Sequence, residues 1–202
     1  MIQPALKLRD FDIFQTYLGA AEQEAVVKDL RNVVAEAPLF APVTAGGKQM
    51  SVRMTSAGRL GWVSDSRGYR YQAHHPDGMP WPAIPDSILV VWRALVSETR
   101  APDCCLINFY GEGARMGLHQ DRDESDFSWP VLSVSLGDEG LFRVGGVDRS
   151  APTSSIWLKS GDIVRMGGEA RLAFHGVDRI RYGSSRLLPR GGRINLTMRV
   201  VA

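Results

Sequence analysis

Three residues of the sequence have the types and the spacing needed to bind a transition metal. His119 and Asp121 are separated by one residue, and His175 follows much later in the chain. Alternate side chains of an extended strand share a face, so the first imidazole and the carboxylate are predicted to project together. A second imidazole from a distant strand would complete the two-histidine, one-carboxylate triad that leaves open positions on non-haem Fe(II) for oxygen chemistry. Zinc or manganese would suit the same ligands.

A basic segment near the C-terminus carries groups that bind carboxylates. Polar side chains recur at every second position, and in a strand they would share one face: Arg193, Asn195, Thr197 and Arg199. Guanidinium groups bind carboxylates through two parallel hydrogen bonds. We therefore expect this face to bind a dicarboxylate.

The apolar segment from Cys104 to Tyr110 also has one polar face. Asn108 and Tyr110 alternate with Ile107 and Phe109. Polar hydrogen-bonding groups on one side of a strand this apolar predict a lined cavity. The alternative is a sheet with one solvated face.

Composition and charge describe an ordinary globular chain. The 202 residues are 44% hydrophobic and 23% charged, and the net charge of +2 neither requires nor excludes a nucleic-acid partner. Cys104 and Cys105 are adjacent, so buried reduced thiols are expected and a disulfide framework is not. Residues 1–20 resemble no signal peptide, and no apolar run has membrane-spanning length. We expect a soluble, cytoplasmic protein without a membrane partner.

Two helices are predicted to support these residues. Apolar residues from Glu22 to Ala35 form a single helical stripe that Pro38 ends. A second helix is expected from Ile88 to Ser97, capped by the segment 85–87 and packed against the outside of a sheet.

The second half of the chain reads as a series of short strands. They are predicted at Cys104 to Tyr110, Leu118 to Asp121, Val131 to Leu136, Leu141 to Val144, Ser154 to Leu158, Asp162 to Met166, Leu172 to His175 and Arg193 to Val200. This succession is typical of a jelly roll or barrel. Turn residues at 137–140 and 159–161 are expected to connect hairpins.

Between residues 41 and 85 the sequence is rich in glycine and proline, which predicts tight turns and little helix. Aromatic and basic side chains are interleaved here, as in platforms that bind single-stranded nucleic acid. A loop-rich flap that covers the core is the alternative. His74 and His75 are expected at the surface or beside a substrate and not as metal ligands.

Many of these segments resemble the AlkB family of Fe(II)- and 2-oxoglutarate-dependent dioxygenases, and its bacterial members in particular. The resemblance extends from about Met50 to Val200. It is carried by residues 50–55 (MSVRMT), 60–62 (LGW), 68–71 (GYRY), 80–83 (PWPA), 105–110 (CLINFY), 118–124 (LHQDRDE), 133–137 (SVSLG), 167–172 (GGEARL), 174–176 (FHG) and 193–199 (RINLTMR).

The resemblance implies one catalytic domain over residues 1–202. The fold would be mainly β, with a double-stranded β-helix (jelly-roll) core and flanking helices. Residues 1–40 would form an N-terminal extension and a helical buttress. Residues 41–85 would form a nucleotide-recognition lid, and residues 86–202 would form a helix and the jelly-roll core.

Site residues follow from the same resemblance. Iron would be bound by the catalytic residues His119, Asp121 and His175. The co-substrate 2-oxoglutarate would be bound by Asn108, Phe109, Tyr110, Arg193, Asn195 and Arg199. The substrate would meet Trp62, Tyr69, Arg70, Tyr71, Asp123 and Arg149. Two departures are expected to alter the pocket, because Met166 replaces a family tryptophan and Pro42 replaces a lid methionine.

The implied activity is oxidative demethylation of N-alkylated bases of the 1-methyladenine and 3-methylcytosine type. The enzyme, expected to be a monomer, would act on single-stranded DNA, and possible further partners are RNA or duplex DNA with a flipped base. It would use Fe(II), 2-oxoglutarate and O2 and release formaldehyde, succinate and CO2. A carboxylate at Asp123 would favour the cationic methylated base; a solvated strand end is the alternative for Asp123 and Glu124. Two alternatives to this activity remain: the protein could be an oxygenase that acts on RNA, protein or a small molecule, or a non-catalytic nucleic-acid-binding module.

Overall fold

Two antiparallel sheets frame the interior of the protein in a computed structural model that describes residues 2–44 and 46–202. The elements in chain order are β1 (Leu6–Leu8), β2 (Phe11–Phe14), α1 (Ala20–Glu36), β3 (Arg53–Gly58), β4 (Gly61–Asp65), β5 (Gly68–Gln72), α2 (Asp86–Leu95), β6 (Cys104–Tyr110), β7 (Met116–His119), β8 (Val131–Gly137), β9 (Glu139–Val144), β10 (Ser154–Leu158), β11 (Ile163–Met166), a 3-10 helix (Gly168–Leu172), β12 (His175–Arg181) and β13 (Arg193–Arg199).

The larger sheet has seven strands in the order β1-β2-β11-β8-β13-β6-β3, and the smaller has four in the order β10-β9-β12-β7. A shared apolar core joins their inner faces, with Leu106 and Val164 from the larger sheet and Phe142 and Leu158 from the smaller one. Alternation along each strand places these residues inward. The predicted jelly roll is confirmed.

Both predicted helices are present and cover the outer face of the larger sheet. Leu30 of α1 and Trp92 of α2 belong to one buried cluster with Ile107 and Leu196 of the sheet. The cap of α2 lies at Pro85, within the predicted segment 85–87, but it provides no side-chain hydrogen bond, and the helix begins at Asp86 instead of Ile88. The hydroxyl of Ser87 instead donates to Asp29 Oδ2 of α1 at 2.6 Å, which ties the two helices together.

Two strand boundaries near the predicted metal ligands differ from expectation. β7 ends at His119, so Asp121 lies beyond the strand. The predicted strand from Leu172 to His175 is wrong except at its last residue, because the 3-10 helix extends to Leu172 and β12 only begins at His175. The 3-10 helix begins at Gly168, whose φ of +55° is unfavourable for other residues, and the side chain of Arg171 within it is buried in the core.

The two turns predicted to connect hairpins connect the two sheets instead. β8 passes into β9 at Asp138, and β10 passes into β11 through residues 159–161, so each turn carries the chain from one sheet to the other. The buried carboxylate of Asp138 accepts hydrogen bonds from the backbone of Gly183, Ser185 and Gly192. These hydrogen bonds to the Asp138 side chain stand in place of the backbone hydrogen bonds that would pair the two strands of a hairpin.

The region predicted as a lid divides into two parts. β3 pairs with β6 and is an edge strand of the larger sheet, whereas β4 and β5 form a separate hairpin. The prediction that His75 lies at the surface is wrong: its ring is buried between Phe40 and Trp81. Its Nε2 donates to Pro38 O at 2.9 Å, while His74 is exposed as expected.

Cys104 and Cys105 are buried and unbonded, which confirms the expected thiols. Among residues 2–44 and 46–202, no helix is long and apolar enough to cross a membrane.

Candidate active site

A cavity of about 290 Å³ lies between the two sheets. All four polar residues predicted to share a face of β13 line it, as do Asn108 and Tyr110 of β6. Both predicted polar faces are therefore confirmed. The wall also contains the apolar side chains of Leu106, Phe142 and Met166. The cavity thus combines hydrogen-bonding groups on one side with apolar surface on the other, as small-molecule sites do.

Three candidate metal ligands meet at this cavity. His119 ends β7 and lies opposite His175, the first residue of β12. Asp121 reaches both rings from beyond the strand, with Oδ1 at 3.7 Å from His119 Nε2 and Oδ2 at 3.7 Å from His175 Nε2. The three ligand atoms lie within 4.8 Å of one another.

The hydrogen bonds of both imidazoles suit metal binding. His119 Nδ1 lies 2.9 Å from Gly117 O and His175 Nδ1 lies 3.1 Å from Ala173 O. A carbonyl can only accept a hydrogen bond, so each Nδ1 carries a proton, and in the neutral form of each ring the lone pair is on Nε2. Burial, together with the neighbouring imidazole, lowers the pKa of His175 to about 4. A neutral ring is the form that a metal requires, and this donor set fits Fe(II).

The carboxylate of Asp121 is held in its ionised form. Burial alone would raise its pKa, but Arg199 and the two imidazoles outweigh burial and hold the pKa well below the usual range. Arg199 Nη2 lies 2.7 Å from Asp121 Oδ2. Arg199 therefore contacts a candidate metal ligand while it also lines the cavity.

Arg193 is a buried cation that faces the cavity without a carboxylate partner. Its side chain is 0% exposed. Its Nη2 donates to Ser135 Oγ at 2.6 Å and its Nη1 reaches two backbone carbonyls, but Nε has no partner. Within residues 2–44 and 46–202 it forms no salt bridge. Burial lowers its pKa to about 10, so the guanidinium remains charged at neutral pH and fits a carboxylate of 2-oxoglutarate.

Amide groups lie beside the two arginines. Asn195 Nδ2 donates to Ser133 Oγ at 2.7 Å, and its Oδ1 accepts from the hydroxyl of Thr197. Asn108 Oδ1 is buried without a partner, although its Nδ2 reaches Asn195 O at 3.4 Å. An unpaired buried polar atom on the cavity wall is costly unless a ligand or water pairs with it.

An aromatic pair and a carboxylate stand at the rim of the cavity. The rings of Trp62 and Tyr69 are stacked, with centroids 5.4 Å apart and planes at 20°. Trp62 Nε1 donates to Asp123 Oδ2 at 2.9 Å, and all three residues line the cavity. Tyr69 is 53% exposed, so one aromatic face is accessible from solvent.

Comparisons with known proteins agree with this arrangement. The family model of the 2OG-Fe(II) oxygenase superfamily matches residues 10–199. An alpha-ketoglutarate-dependent dioxygenase AlkB homolog of Caulobacter vibrioides is 53% identical over 198 residues, 98% of this chain and 90% of the relative. AlkB of Escherichia coli is 40% identical over 186 residues, 90% and 85% of the two chains. The chain belongs to the AlkB family.

As an AlkB-family protein it is an Fe(II)- and 2-oxoglutarate-dependent dioxygenase. Two further proteins extend the comparison. The solved structure of OsALKBH1 superimposes with a TM-score of 0.84 at 29% identity and covers 98% of this chain and 100% of that chain. The DNA N(6)-methyladenine demethylase ALKBH1C of Arabidopsis thaliana is 31% identical over 93% of this chain, which spans 47% of the relative.

Not every residue predicted from the AlkB-family resemblance lines the cavity. Phe109 lies on the opposite face of β6, where the Arg53 guanidinium stacks 5.1 Å from its ring centroid. Arg70 is paired with Asp65 at 2.8 Å. Arg149 donates to Leu118 O at 3.1 Å and is exposed outside the cavity lining. The other predicted co-substrate residues are brought together.

Two buried residues of the AlkB-family site had no predicted role. Glu124, for which a solvated strand end was one possibility, is 5% exposed, and Arg171 is 3% exposed. Their side chains form a salt bridge at 2.9 Å directly behind Asp121. Tyr71 was expected to face a base, but its hydroxyl turns inward and donates to Glu124. Both residues lie in segments that match the family, so their position in those motifs was the available signal.

Proposed function

We propose that this AlkB-family dioxygenase removes methyl groups from N-alkylated bases of the 1-methyladenine and 3-methylcytosine type in single-stranded DNA. The observation that carries the proposal is the rim of the cavity. A stacked aromatic pair, Trp62 and Tyr69, stands there beside the carboxylate of Asp123, next to the candidate metal ligands.

The chemistry of a methylated base suits that rim. Bases stack on aromatic side chains, and each stacked base contributes about 1–3 kcal/mol to binding. Methylation at the ring nitrogen makes adenine or cytosine cationic, and the exposed carboxylate of Asp123 would attract that cation. Arg122, also exposed at the cavity, would attract backbone phosphate.

Single strands are favoured because the methylated nitrogen lies on the Watson–Crick edge of the base. A paired base hides that edge, so the nucleotide must be unpaired or flipped, and extrusion from a duplex costs a few kcal/mol. An unpaired base enters the cavity without that cost.

His119, Asp121 and His175 would hold Fe(II), and Arg193, Asn195 and Arg199 would hold 2-oxoglutarate beside it. When bound, Fe(II) with 2-oxoglutarate and O2 supplies the oxidation that hydroxylates the methyl group, so that formaldehyde, succinate and CO2 leave. The Nε2 atoms of the two histidines would bind the metal, and the guanidinium groups would neutralise and orient the dicarboxylate. The aromatic pair and Asp123 place the methyl group within reach of the site.

The test is formaldehyde release from oligonucleotides of one sequence that carry 1-methyladenine or 3-methylcytosine. We expect release only with Fe(II) and 2-oxoglutarate, faster on the single strand than on its duplex, and at least a hundredfold less with His119→Ala. Equal turnover by His119→Ala, or succinate formed with a peptide panel and with no methylated oligonucleotide, would refute the proposal.

RNA is the second candidate substrate. The rim residues would contact the base and offer nothing that distinguishes a ribose, since stacking is tolerant of the backbone to which a base belongs. Matched RNA and DNA oligonucleotides in direct competition would give the preference as a ratio of kcat/KM values. Because the rim does not distinguish the sugar, we expect a ratio near one.

A further inference from the structure

Two buried arginines hold Asp121 from opposite ends of the residue. Arg199 Nη2 contacts the carboxylate at 2.7 Å. Arg171 Nη1 donates to the main-chain carbonyl of the same residue at 2.5 Å. The orientation of this candidate metal ligand therefore depends on two cations from distant parts of the chain, one in β13 and one in the 3-10 turn.

Glu124 joins the two arginines. Its Oε2 accepts from Arg171 Nη2 at 2.9 Å, and its Oε1 lies 3.5 Å from Arg199 Nε. All four charged groups, Asp121 included, are less than a tenth exposed. Two carboxylates balance two guanidinium groups, so removal of any one of them leaves an uncompensated charge in the interior.

Tyr71 connects this cluster to the hairpin that carries the aromatic rim. It lies on β5, and its cross-strand neighbour on β4 is Trp62. Its hydroxyl donates to Glu124 Oε1 and accepts from Arg199 Nη1 at 3.1 Å. A hydroxyl has one proton and can also accept, so both roles are filled. The hairpin is thereby fastened to the arginine that touches Asp121.

We propose that Glu124, with Arg171 and Tyr71, is a positioning residue of the reaction. The cluster fixes Asp121 and Arg199 relative to each other and holds the β4–β5 hairpin at a set distance from them. The cluster therefore sets the relative positions of three groups: the candidate metal ligand Asp121, the arginine that would bind 2-oxoglutarate, and the rim that would receive the base. The role of the rim in receiving a base rests on the proposed function. Small displacements of reacting groups lower rates steeply, so we expect the cluster to keep 2-oxoglutarate consumption coupled to methyl oxidation.

Two measurements test the proposal on Glu124→Gln and Tyr71→Phe in the 202-residue chain. The first is anaerobic titration of 2-oxoglutarate into protein loaded with Mn(II), which allows binding without turnover. We expect an affinity about 10- to 100-fold weaker, the usual effect of losing a partner that orients a metal ligand. The second is the ratio of succinate to formaldehyde with a methylated single strand. It should be near one for the native protein and several-fold higher for each variant.

Matched control variants exist on the smaller sheet. Glu139→Gln removes a partly buried carboxylate whose partner is Arg181 at 2.5 Å, and Tyr182→Phe removes a hydroxyl that donates to Arg190 O at 2.7 Å. Neither residue lines the cavity. Both variants should keep the native affinity and the native product ratio.

A charge-balanced double variant, Glu124→Gln with Arg171→Met, separates positioning from folding. Removing one charge of each sign should return the melting temperature towards the native value, while the product ratio stays raised because Asp121 and Arg199 are no longer held. Recovery of the ratio together with the melting temperature would show a purely structural role and overturn the proposal. Unchanged affinity and ratio in folded Glu124→Gln and Tyr71→Phe would also overturn it.

The affinity measurement does not depend on the identity of the substrate. If the native protein released no formaldehyde from any methylated oligonucleotide, the proposed function would fail. A weaker affinity for 2-oxoglutarate in Glu124→Gln would then still support the positioning role, and an unchanged affinity would refute it.

Discussion

His119 and His175 lie directly opposite each other on the antiparallel strands β7 and β12, with ring centroids 4.6 Å apart. The pair depends on strand register, because a slip of one residue would turn one of the rings to the other face of the sheet. Gly176, the next residue, permits the close approach: a Cβ built there would lie 2.6 Å from Met116 O and 2.7 Å from Gly117 O.

The first prediction follows from that contact. Gly176→Ala should push β7 away from β12, move the two imidazoles apart and lower Mn(II) affinity by about 10-fold or more, with a loss of stability of about 1–3 kcal/mol. Anaerobic metal titration and thermal unfolding measure the two effects. Gly117→Ala is the matched control, since its Cβ would meet nothing within 4 Å. Equal metal affinity in the two variants would contradict the steric argument.

The second prediction concerns Arg193, the buried cation without a carboxylate partner. Arg193→Met should weaken 2-oxoglutarate binding by about 2–5 kcal/mol, the range found when one member of a buried charge pair is truncated. Stability of the ligand-free protein should change less, because the variant removes an unneutralised charge although Ser135 loses its donor. In the native protein 2-oxoglutarate with Mn(II) should raise the melting temperature. The same rise in Arg193→Met would show that the carboxylate is bound elsewhere.

The third prediction concerns the exposed ring of Tyr69. Tyr69→Ala should weaken binding of a methylated single strand by about 1–3 kcal/mol, the contribution of one stacked base. Anaerobic fluorescence titration measures the loss, and 2-oxoglutarate affinity should remain unchanged. Tyr182→Ala provides the control, because Tyr182 is also an exposed tyrosine, at 46%, and does not line the cavity. A comparable loss in the control would mean that the rim does not bind the base.

Strand periodicity explains why much of the site could be predicted. A period of two places alternate residues on one face whatever the details of the fold, so the cavity-facing residues of β13 and β6 could be read from spacing alone. The resemblance to a family then supplied their roles. Asp121 was placed correctly beside His119 but for an incomplete reason, since β7 ends before it.

The buried charges could not be predicted because they depend on partners that are distant in sequence. Glu124 follows an exposed acid, Asp123, and resembles a solvated residue until Arg171 and Tyr71 are placed against it. The sheet-to-sheet turn at Asp138 has the composition of a hairpin, and only the loop formed by residues 183–192 shows what its carboxylate binds. The burial of Glu124 and the path of the chain at Asp138 are both determined by tertiary contacts that the local sequence does not show.

The last prediction concerns Asp103, a buried carboxylate that fastens the C-terminal segment to β6. Its oxygens accept from Arg100 at 2.8 Å, from Arg59 at 3.1 Å and from the backbone of Val201 at 2.9 Å. Burial alone would raise its pKa, but these donors outweigh burial and lower the pKa below its usual value. Asp103→Asn should therefore cost about 2–4 kcal/mol of unfolding free energy at pH 7.

The pH dependence of that loss has a defined sign. A carboxylate with a lowered pKa in the folded state stabilises the protein fully above its unfolded pKa of about 3.9, and the stabilisation disappears as the pH falls towards the folded value. Urea unfolding should therefore show a large difference between native protein and Asp103→Asn at pH 7, and a smaller one at pH 3 because part of the stabilisation is lost below the unfolded pKa. Asp86→Asn is the control, because its exposed ion pair with Arg93 contributes at most about 1 kcal/mol. A difference for Asp103→Asn that stayed constant from pH 7 to pH 3 would mean that the hydrogen bonds do not depend on the charge.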